Sequence, residues 1–420
     1  MVGLNHRTAP LEVRERLTPN SDGLPEALET MASYGVPGVI LSTCNRSEFY
    51  ALEAEATESR GRDGEQRIKS FLVEYFDIPL VEVERYLYLH REQDCINHLF
   101  RVASSLDSMV PGEDQIIGQV REAFEAAVRA ATAHGQLYQL FQEALRVGRR
   151  VRRETGIGKN SPSMSRACVD LAKESLGDLS GLRAMVVGAG DAGGLAAEVL
   201  KLSGVKDITV TNRTYQRAQE LASTLSGRAM PFRDMPEGLR DADLVIACTG
   251  SPGYVLAAET VRTAMAWRPE RPLFMIDIAV PRDIEPAAGQ INNVRLHDVD
   301  DLEAVSESGR REKAKDIQRA EDLVARETER FLEWCLAQRA LPTVIALREK
   351  AEKIRETELR KTIRKLDLDL DSDQKEAMEA MTQAIVKKLL HGPTVYLKEH
   401  RDTADFRLAR EFFQLPNEEP

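Results

Sequence analysis

The sequence predicts a multidomain α/β protein: an N-terminal α+β unit, a doubly wound parallel sheet of Rossmann type, and a C-terminal all-helical unit. Three observations predict it. At 420 residues the chain exceeds the roughly 250–300 at which one hydrophobic core stops growing, so two or three domains are expected. From about residue 183 short β-rich runs alternate with helical stretches, as they do when parallel strands are joined by helices. Beyond about residue 306 glycines nearly vanish and apolar residues recur at helical spacing. The expected boundaries are 1–155, 156–305 and 306–420.

The first unit opens with a short apolar segment before His6, continues through a helical stretch, and runs a strand at 39–41 into Leu41-Ser42-Thr43-Cys44-Asn45-Arg46. Its second half is helical: Ile96, Leu99, Phe100 and Ala103 share one face, and 115–132 and 137–153 repeat the spacing. Between them Asp107-Ser108-Met109-Val110-Pro111-Gly112-Glu113-Asp114-Gln115 breaks the period with Pro and Gly and crowds polar side chains, which predicts a loop. Residues 156–162 are polar and flexible in composition, a linker into the next unit. Strands follow at 184–187, 208–210, 244–247, 273–278 and 294–296. In the tail, stripes run through Ile317, Ala320, Val324, Phe331 and Cys335, through Val344, Leu347, Ala351 and Ile354, and through Met378, Met381, Ile385 and Leu389. Helices of that length need a partner to bury such stripes, and self-association is the simplest.

Composition excludes several classes. With 42% hydrophobic and 30% charged residues the chain reads as soluble, and no run of about 18 apolar residues is present. The start lacks the layout of a signal peptide, so a cytoplasmic location with no membrane association is expected. Five cysteines without a C-x-x-C pair predict free thiols, and His90, Cys95 and His98 lack the second ligand pair that a metal site needs. A net charge of -11 opposes indiscriminate attraction to polyanions. One local basic run, Arg146, Arg149, Arg150, Arg152 and Arg153, is open to two readings: phosphate contact or a solvated helix face.

Two motifs carry chemistry. Gly188-Ala189-Gly190-Asp191-Ala192-Gly193 follows the apolar run 185–187 and opens a helical run, the context a dinucleotide fingerprint requires. Gly188 permits the tight turn, Gly190 lets backbone approach a pyrophosphate, Gly193 allows close helix packing, and the helix N-terminus supplies donors. After the next strand, Asn212-Arg213-Thr214 stands where an NAD site carries an acid; Arg213 suits a 2'-phosphate, with Asn212 and Thr214 as donors, so NADP(H) is preferred. Thr249, in the turn after the strand at 244–247, lies at the carboxyl edge where ligands sit, though an ordinary β-to-α loop reads the same way. The second motif is Cys44: most lone cysteines are buried packing residues, but Thr43, Asn45, Arg46, Ser47 and Glu48 surround this one with polar groups. Arg46 is placed to favour the thiolate or to hold a substrate carboxylate. A sulfur nucleophile and a hydride carrier together suggest thioester reduction.

At these residues the chain resembles the glutamyl-tRNA reductase family over nearly its whole length. The resemblance is carried by Gly3-Leu4-Asn5-His6, Ser42-Thr43-Cys44-Asn45-Arg46, His98-Leu99-Phe100-Arg101-Val102-Ala103 running into Leu106-Asp107-Ser108-Met109-Val110, Gly112-Glu113-Asp114-Gln115, Val147-Gly148-Arg149-Arg150-Val151-Arg152-Arg153-Glu154-Thr155, Asn212-Arg213-Thr214, and Asp277-Ile278-Ala279-Val280-Pro281-Arg282-Asp283. It implies that Cys44 takes the glutamyl group from charged tRNA(Glu) as a thioester, which NADPH reduces to glutamate-1-semialdehyde in the first step of tetrapyrrole biosynthesis. It implies too that Thr43, Asn45, Arg46, Ser108, Glu113, Asp114, Gln115 and Gln119 line the glutamate pocket and that His98 assists the chemistry. Arg46 suits the substrate carboxylate, and Glu113 or Asp114 its ammonium. His98 has a plain alternative as a packed helix-face histidine. The family's helical tail implies a homodimer that helps hold the tRNA, and the downstream aminomutase is a further candidate partner.

Two positions depart from the family pattern: Ser105 replaces a Gly and Pro111 an aliphatic residue, both beside the pocket loop and neither removing a reacting group. Because nicotinamide must reach a thioester in another domain, the cofactor domain is expected to swing about 156–162 and 306–309. The competing readings are an NADP-dependent, shikimate-like dehydrogenase with an idle Cys44, and a non-enzymatic NADP(H)-sensing or tRNA-binding regulator.

Overall fold

The computed structural model describes residues 1–19, 23–52, 64–158, 164–302, 313–365, 371–399 and 403–416. The chain forms two compact units, Met1–Glu327 and Thr328–Pro420.

The first unit begins with a four-stranded antiparallel sheet in the order β2-β3-β1-β4, built from β1 (Val2–Asn5), β2 (Gly38–Thr43), β3 (Arg46–Ala51) and β4 (Tyr88–Leu89). Helices Glu92–Ala103, Gln115–Arg129 and Gly135–Thr155 follow, in place of the expected 115–132 and 137–153. Tyr50 of β3 meets Phe141 edge-on at 5.3 Å, which places the last helix against the sheet. The first half of this segment holds more sheet than the single expected strand, because β3 is buried on both faces and shows no alternation of polar and apolar residues.

A six-stranded parallel sheet comes next, with β5 (Arg183–Val187), β6 (Asp207–Asn212), β7 (Arg228–Pro231), β8 (Leu244–Ala247), β9 (Leu273–Asp277) and β10 (Val294–His297). The order β10-β9-β8-β5-β6-β7 is the doubly wound Rossmann arrangement, with the strand order reversing between β5 and β8. β7 escapes the sequence reading because Arg228-Ala229-Met230-Pro231 is short, only partly buried and closed by proline. Two apolar clusters cover the two faces of the sheet, one around Val186, Ile208 and Ile246, the other around Val187, Val245 and Met275. The first also takes in Leu11 and Met109 from the antiparallel segment. The two segments thus share apolar packing, which is why 1–327 is compact as a whole.

The helix Ala314–Lys365 starts in the first unit and continues into the second, joined there by Ser372–Glu399 and Thr403–Phe412. The second unit has its own small core of Ala340, Val344, Leu347, Leu397, Phe406 and Leu415. Ile354, Met381, Ile385 and Leu389 stay exposed, so the last of the three predicted stripes and the end of the second lack an intramolecular cover among the described residues. Of the expected hinge, 159–162 and 306–309 lie outside the described residues. No helix among the described residues is long and apolar enough to cross a membrane.

Candidate active site

Cys44 stands at the tip of a β-hairpin. β2 and β3 pair until Thr43 faces Arg46, so Cys44 and Asn45 form a two-residue connection. Neither has a positive φ, which excludes the primed turns whose twist matches the strands; the tip therefore needs outside supports. It has three. The Asn45 N–H donates to Thr43 Oγ1 at 3.1 Å, the His6 N–H donates to the Asn45 carbonyl at 2.9 Å, and the Arg14 guanidinium donates to the Cys44 carbonyl.

The half-buried thiol faces a cavity of about 170 Å³. From the antiparallel segment it is lined by Thr43, Cys44, Asn45, Arg46, Ser108, Glu113, Gln115, Ile116 and Gln119; from the Rossmann segment by Met164, Ala192, Cys248, Thr249, Ile278, Ala279 and Val280. Eight of the ten residues expected to react with or hold the substrate meet here. The two left out are His98 and Asp114. Asp114 is 89% exposed and pairs with Arg152, so of the two acids offered for the ammonium only Glu113 lines the cavity. His98 instead sits at 2.7 Å from Glu48, a fully buried carboxylate that also binds Arg46 Nη1 at 2.7 Å and accepts from the hydroxyls of Tyr50 and Tyr88. Burial opposes ionisation of Glu48, but Arg46 and His98 outweigh it and hold the carboxyl well below its usual range. His98 is thus linked to the cavity-lining Arg46 through Glu48.

Arg46 does not make the thiol acidic. Its guanidinium is engaged by Glu48 and by Asp107, at 3.1 Å from Oδ2, and burial followed by the charge of Glu113 pushes Cys44 up to about 12. Burial also raises Glu113, against a hydrogen bond from Ser108. Asn45 Oδ1 is buried and finds no hydrogen-bond donor among the described residues, leaving an open acceptor on a cavity-lining side chain.

Sequence reasoning missed several supports. Glu48 shares a face of β3 with Arg46 and Tyr50, but β3 lies beyond the one strand the sequence predicts there. Arg152 reads as part of the basic run, yet it donates to the carbonyls of Gly112 and Glu113 and fixes the cavity loop. Its spacing from buried Leu145 and Gly148 was the available signal. Arg146 and Arg150 both pair with Glu327, and Arg149 donates to the Leu145 carbonyl at 2.9 Å. Four of the five arginines therefore pair with carboxylates, Arg153 with Glu154 at 3.3 Å while 74% exposed, and Arg152 also holds the loop carbonyls. Ser105 adopts φ +58, the left-handed conformation that a glycine takes freely, and its hydroxyl accepts from the Gly112 N–H at 3.0 Å.

At the strand reversal, the turn Gly188-Ala189-Gly190 leads into helix Asp191–Leu202. Gly188 has φ +115, and a Cβ on Gly193 would meet the Gly188 carbonyl at 2.2 Å, so both must be glycine. Around Gly190 nothing lies within 4 Å of such a Cβ: the backbone there is open to a pyrophosphate, and the site fits a dinucleotide. Asn212 is not a free donor. Its Oδ1 accepts from the Ala189 N–H at 3.2 Å and its Nδ2 donates to the Thr214 carbonyl at 3.0 Å, so it shapes the turn from within. Arg213 and Thr214 are exposed beside it, and among the described residues Arg213 has no ion pair. Across the reversal, Asp283 accepts from both the N–H and the hydroxyl of Thr249. Asp277 accepts from the Ala279 N–H at 3.0 Å and the Ile284 N–H at 2.7 Å. Together they clip in place the loop that brings Ile278, Ala279 and Val280 to the cavity. Cys44 and the residues Ala192 and Thr249 line one cavity as the protein stands, so no swing is needed to bring them together.

A doubly wound sheet with a glycine turn at its strand reversal, facing a thiol across one cavity, defines an oxidoreductase that uses a nicotinamide nucleotide. Three family profiles divide the chain: "Glutamyl-tRNAGlu reductase, N-terminal domain" matches 2–155, "Shikimate / quinate 5-dehydrogenase" 170–305, and "Glutamyl-tRNAGlu reductase, dimerisation domain" 319–415. The glutamyl-tRNA reductase of Thermodesulfovibrio yellowstonii is 40% identical over 425 residues, covering 100% of this chain and 99% of the relative. That of Moorella thermoacetica is 43% identical over 399 residues, 94% of this chain and 89% of its own. The solved glutamyl-tRNA reductase of Methanopyrus kandleri is 31% identical with a TM-score of 0.53, over 99% of this chain and 98% of that one. The chain belongs to the glutamyl-tRNA reductase family, and its dimerisation domain implies a homodimer.

Proposed function

We propose that this chain converts glutamyl-tRNA(Glu) to glutamate-1-semialdehyde through a thioester on Cys44, with 1–155 binding the glutamyl group, 156–305 the nucleotide and 306–420 the partner subunit and the tRNA. The observation that carries it is the shared cavity, where the thiol stands among Asn45, Arg46, Ser108, Glu113 and Gln119 and opposite Ala192 and Thr249. NADPH is the preferred cofactor because exposed Arg213 is free to pair with a 2'-phosphate; when bound, it supplies the hydride.

Glu113 and the open Asn45 carbonyl suit the substrate ammonium. Neutralising Glu113 removes one of the two influences that raise the Cys44 thiol and leaves the opposing pull of Arg14 and Arg46. Substrate binding thereby helps to make its own nucleophile. Sulfur then attacks the ester carbonyl, the 3'-terminal oxygen of the tRNA leaves with the proton, and reduction of the thioester expels the thiolate and releases the aldehyde. His98, through Glu48, keeps Arg46 oriented.

Cys44→Ser is the test. Reductase turnover should fall by at least a hundredfold while NADPH binding, followed by fluorescence titration, is unchanged, and intact-mass spectra of the wild type mixed with charged tRNA without NADPH should show a glutamyl adduct that the variant lacks. Near-normal turnover would favour the dehydrogenase of a free small molecule.

A further inference from the structure

The six-residue helix Leu11–Arg16 belongs to the antiparallel segment by chain order, yet its side chains reach the Rossmann segment at three places. Leu11 is buried in that segment's apolar cluster. Glu15 takes the Arg282 guanidinium at 2.9 Å through Nε and again through Nη2, with Glu12 at 3.2 Å from Nη1. Arg14, 1% exposed, donates from Nε to the Ala9 carbonyl at 3.2 Å, from Nη1 to the Cys44 carbonyl and from Nη2 to Asp300. Asp300 follows β10 on the Rossmann side and is its one carboxylate partner among the described residues. A buried guanidinium needs such a counter-charge. Arg14 therefore takes its counter-charge from the Rossmann segment while it holds the carbonyl of Cys44, in a turn whose geometry does not hold itself.

We propose that Arg14 is a positioning residue that couples the seat of the nucleotide-binding segment to the placement of Cys44, so that the thioester is presented for reduction rather than left to water. The inference rests on the thioester reading above. Its test is the partition of the acyl-enzyme. With charged tRNA and saturating NADPH, free glutamate and semialdehyde are counted in one rapid-quench experiment for the wild type, Asp300→Asn, Arg14→Gln and the double variant. Asp300→Asn, which alters a partly exposed side chain outside the cavity, should form acyl-enzyme within about twofold of the wild-type rate while the glutamate-to-semialdehyde ratio rises at least threefold. The double variant should shift the ratio no further than Arg14→Gln alone. A merely structural defect lowers both products together. Wild-type partition in Asp300→Asn overturns the inference even if Arg14→Gln fails to fold, whereas absence of any acyl-enzyme in the wild type overturns the thioester reading and this inference with it.

Discussion

Burial and the charge of Glu113 keep Cys44 a thiol in the free protein, which is the state the proposed mechanism starts from. A group titrating near 12 is ionised to about one part in 10⁴ at pH 8, whereas a free cysteine is ionised to roughly a quarter. Since the shift is upward, the thiolate fraction rises about tenfold per pH unit from neutrality until the pH nears that value. Iodoacetamide should therefore label Cys44 in the free enzyme on the order of a hundredfold more slowly than it labels an unstructured cysteine peptide at pH 8, with a rate that climbs steadily through pH 10. Peptide-resolved mass spectrometry gives the rate, and a plateau below pH 8 would contradict the burial argument. Much of the cavity was legible at this scale because the residues that line it from the antiparallel segment are mostly polar side chains clustered in two short stretches. What the sequence hid is distance. Arg14 lies 30 residues from the carbonyl it holds and 286 from its carboxylate, and nothing in a local pattern announces either contact.

At the scale of elements, the loop that ends helix Glu92–Ala103 shows how one residue can offset backbone strain with side-chain hydrogen bonds. Ser105 stands in the left-handed conformation, which costs a non-glycine residue roughly 1–2 kcal/mol. In return its Oγ lies 3.1 Å from the Ser108 hydroxyl and accepts from the Gly112 N–H, tying both ends of the cavity loop to one atom. A typical internal hydrogen bond contributes about 1 kcal/mol, so the two effects nearly cancel. Ser105→Gly should then leave the melting temperature within about 2 °C, whereas Ser105→Ala keeps the strain, loses the bonds and should destabilise by about 1–3 kcal/mol. Thermal unfolding of the pair separates backbone from hydroxyl: equal losses in both variants would show that the conformation carries no strain. Helices with apolar stripes and the strands of the parallel sheet were legible for the same reason, a period tied to burial. β3 and β7 were not, since one is buried on both faces and the other barely buried at all.

For the whole molecule, the second unit leaves an unpaid requirement of area rather than of bonds. Ile385 is 50% and Leu389 70% exposed along one helix, with Ile354, Met381, Leu408 and Phe412 likewise open, while only a handful of residues form the unit's own core. Each large aliphatic side chain moved from water into an interface contributes roughly 1.5–3 kcal/mol, so a second copy covering this stripe is favoured by several side chains at once. Ile385→Asp combined with Leu389→Asp places two charges where apolar surface must be dehydrated. The double variant should sediment as a monomer at micromolar concentration, where the wild type sediments as a dimer. Because neither residue touches the cavity, which lies wholly in Met1–Glu327, the monomer should still bind NADPH with wild-type affinity. Loss of nucleotide binding in a soluble, folded monomer would mean that the cofactor site depends on the partner subunit, and an unchanged dimer would place the interface elsewhere on the helices.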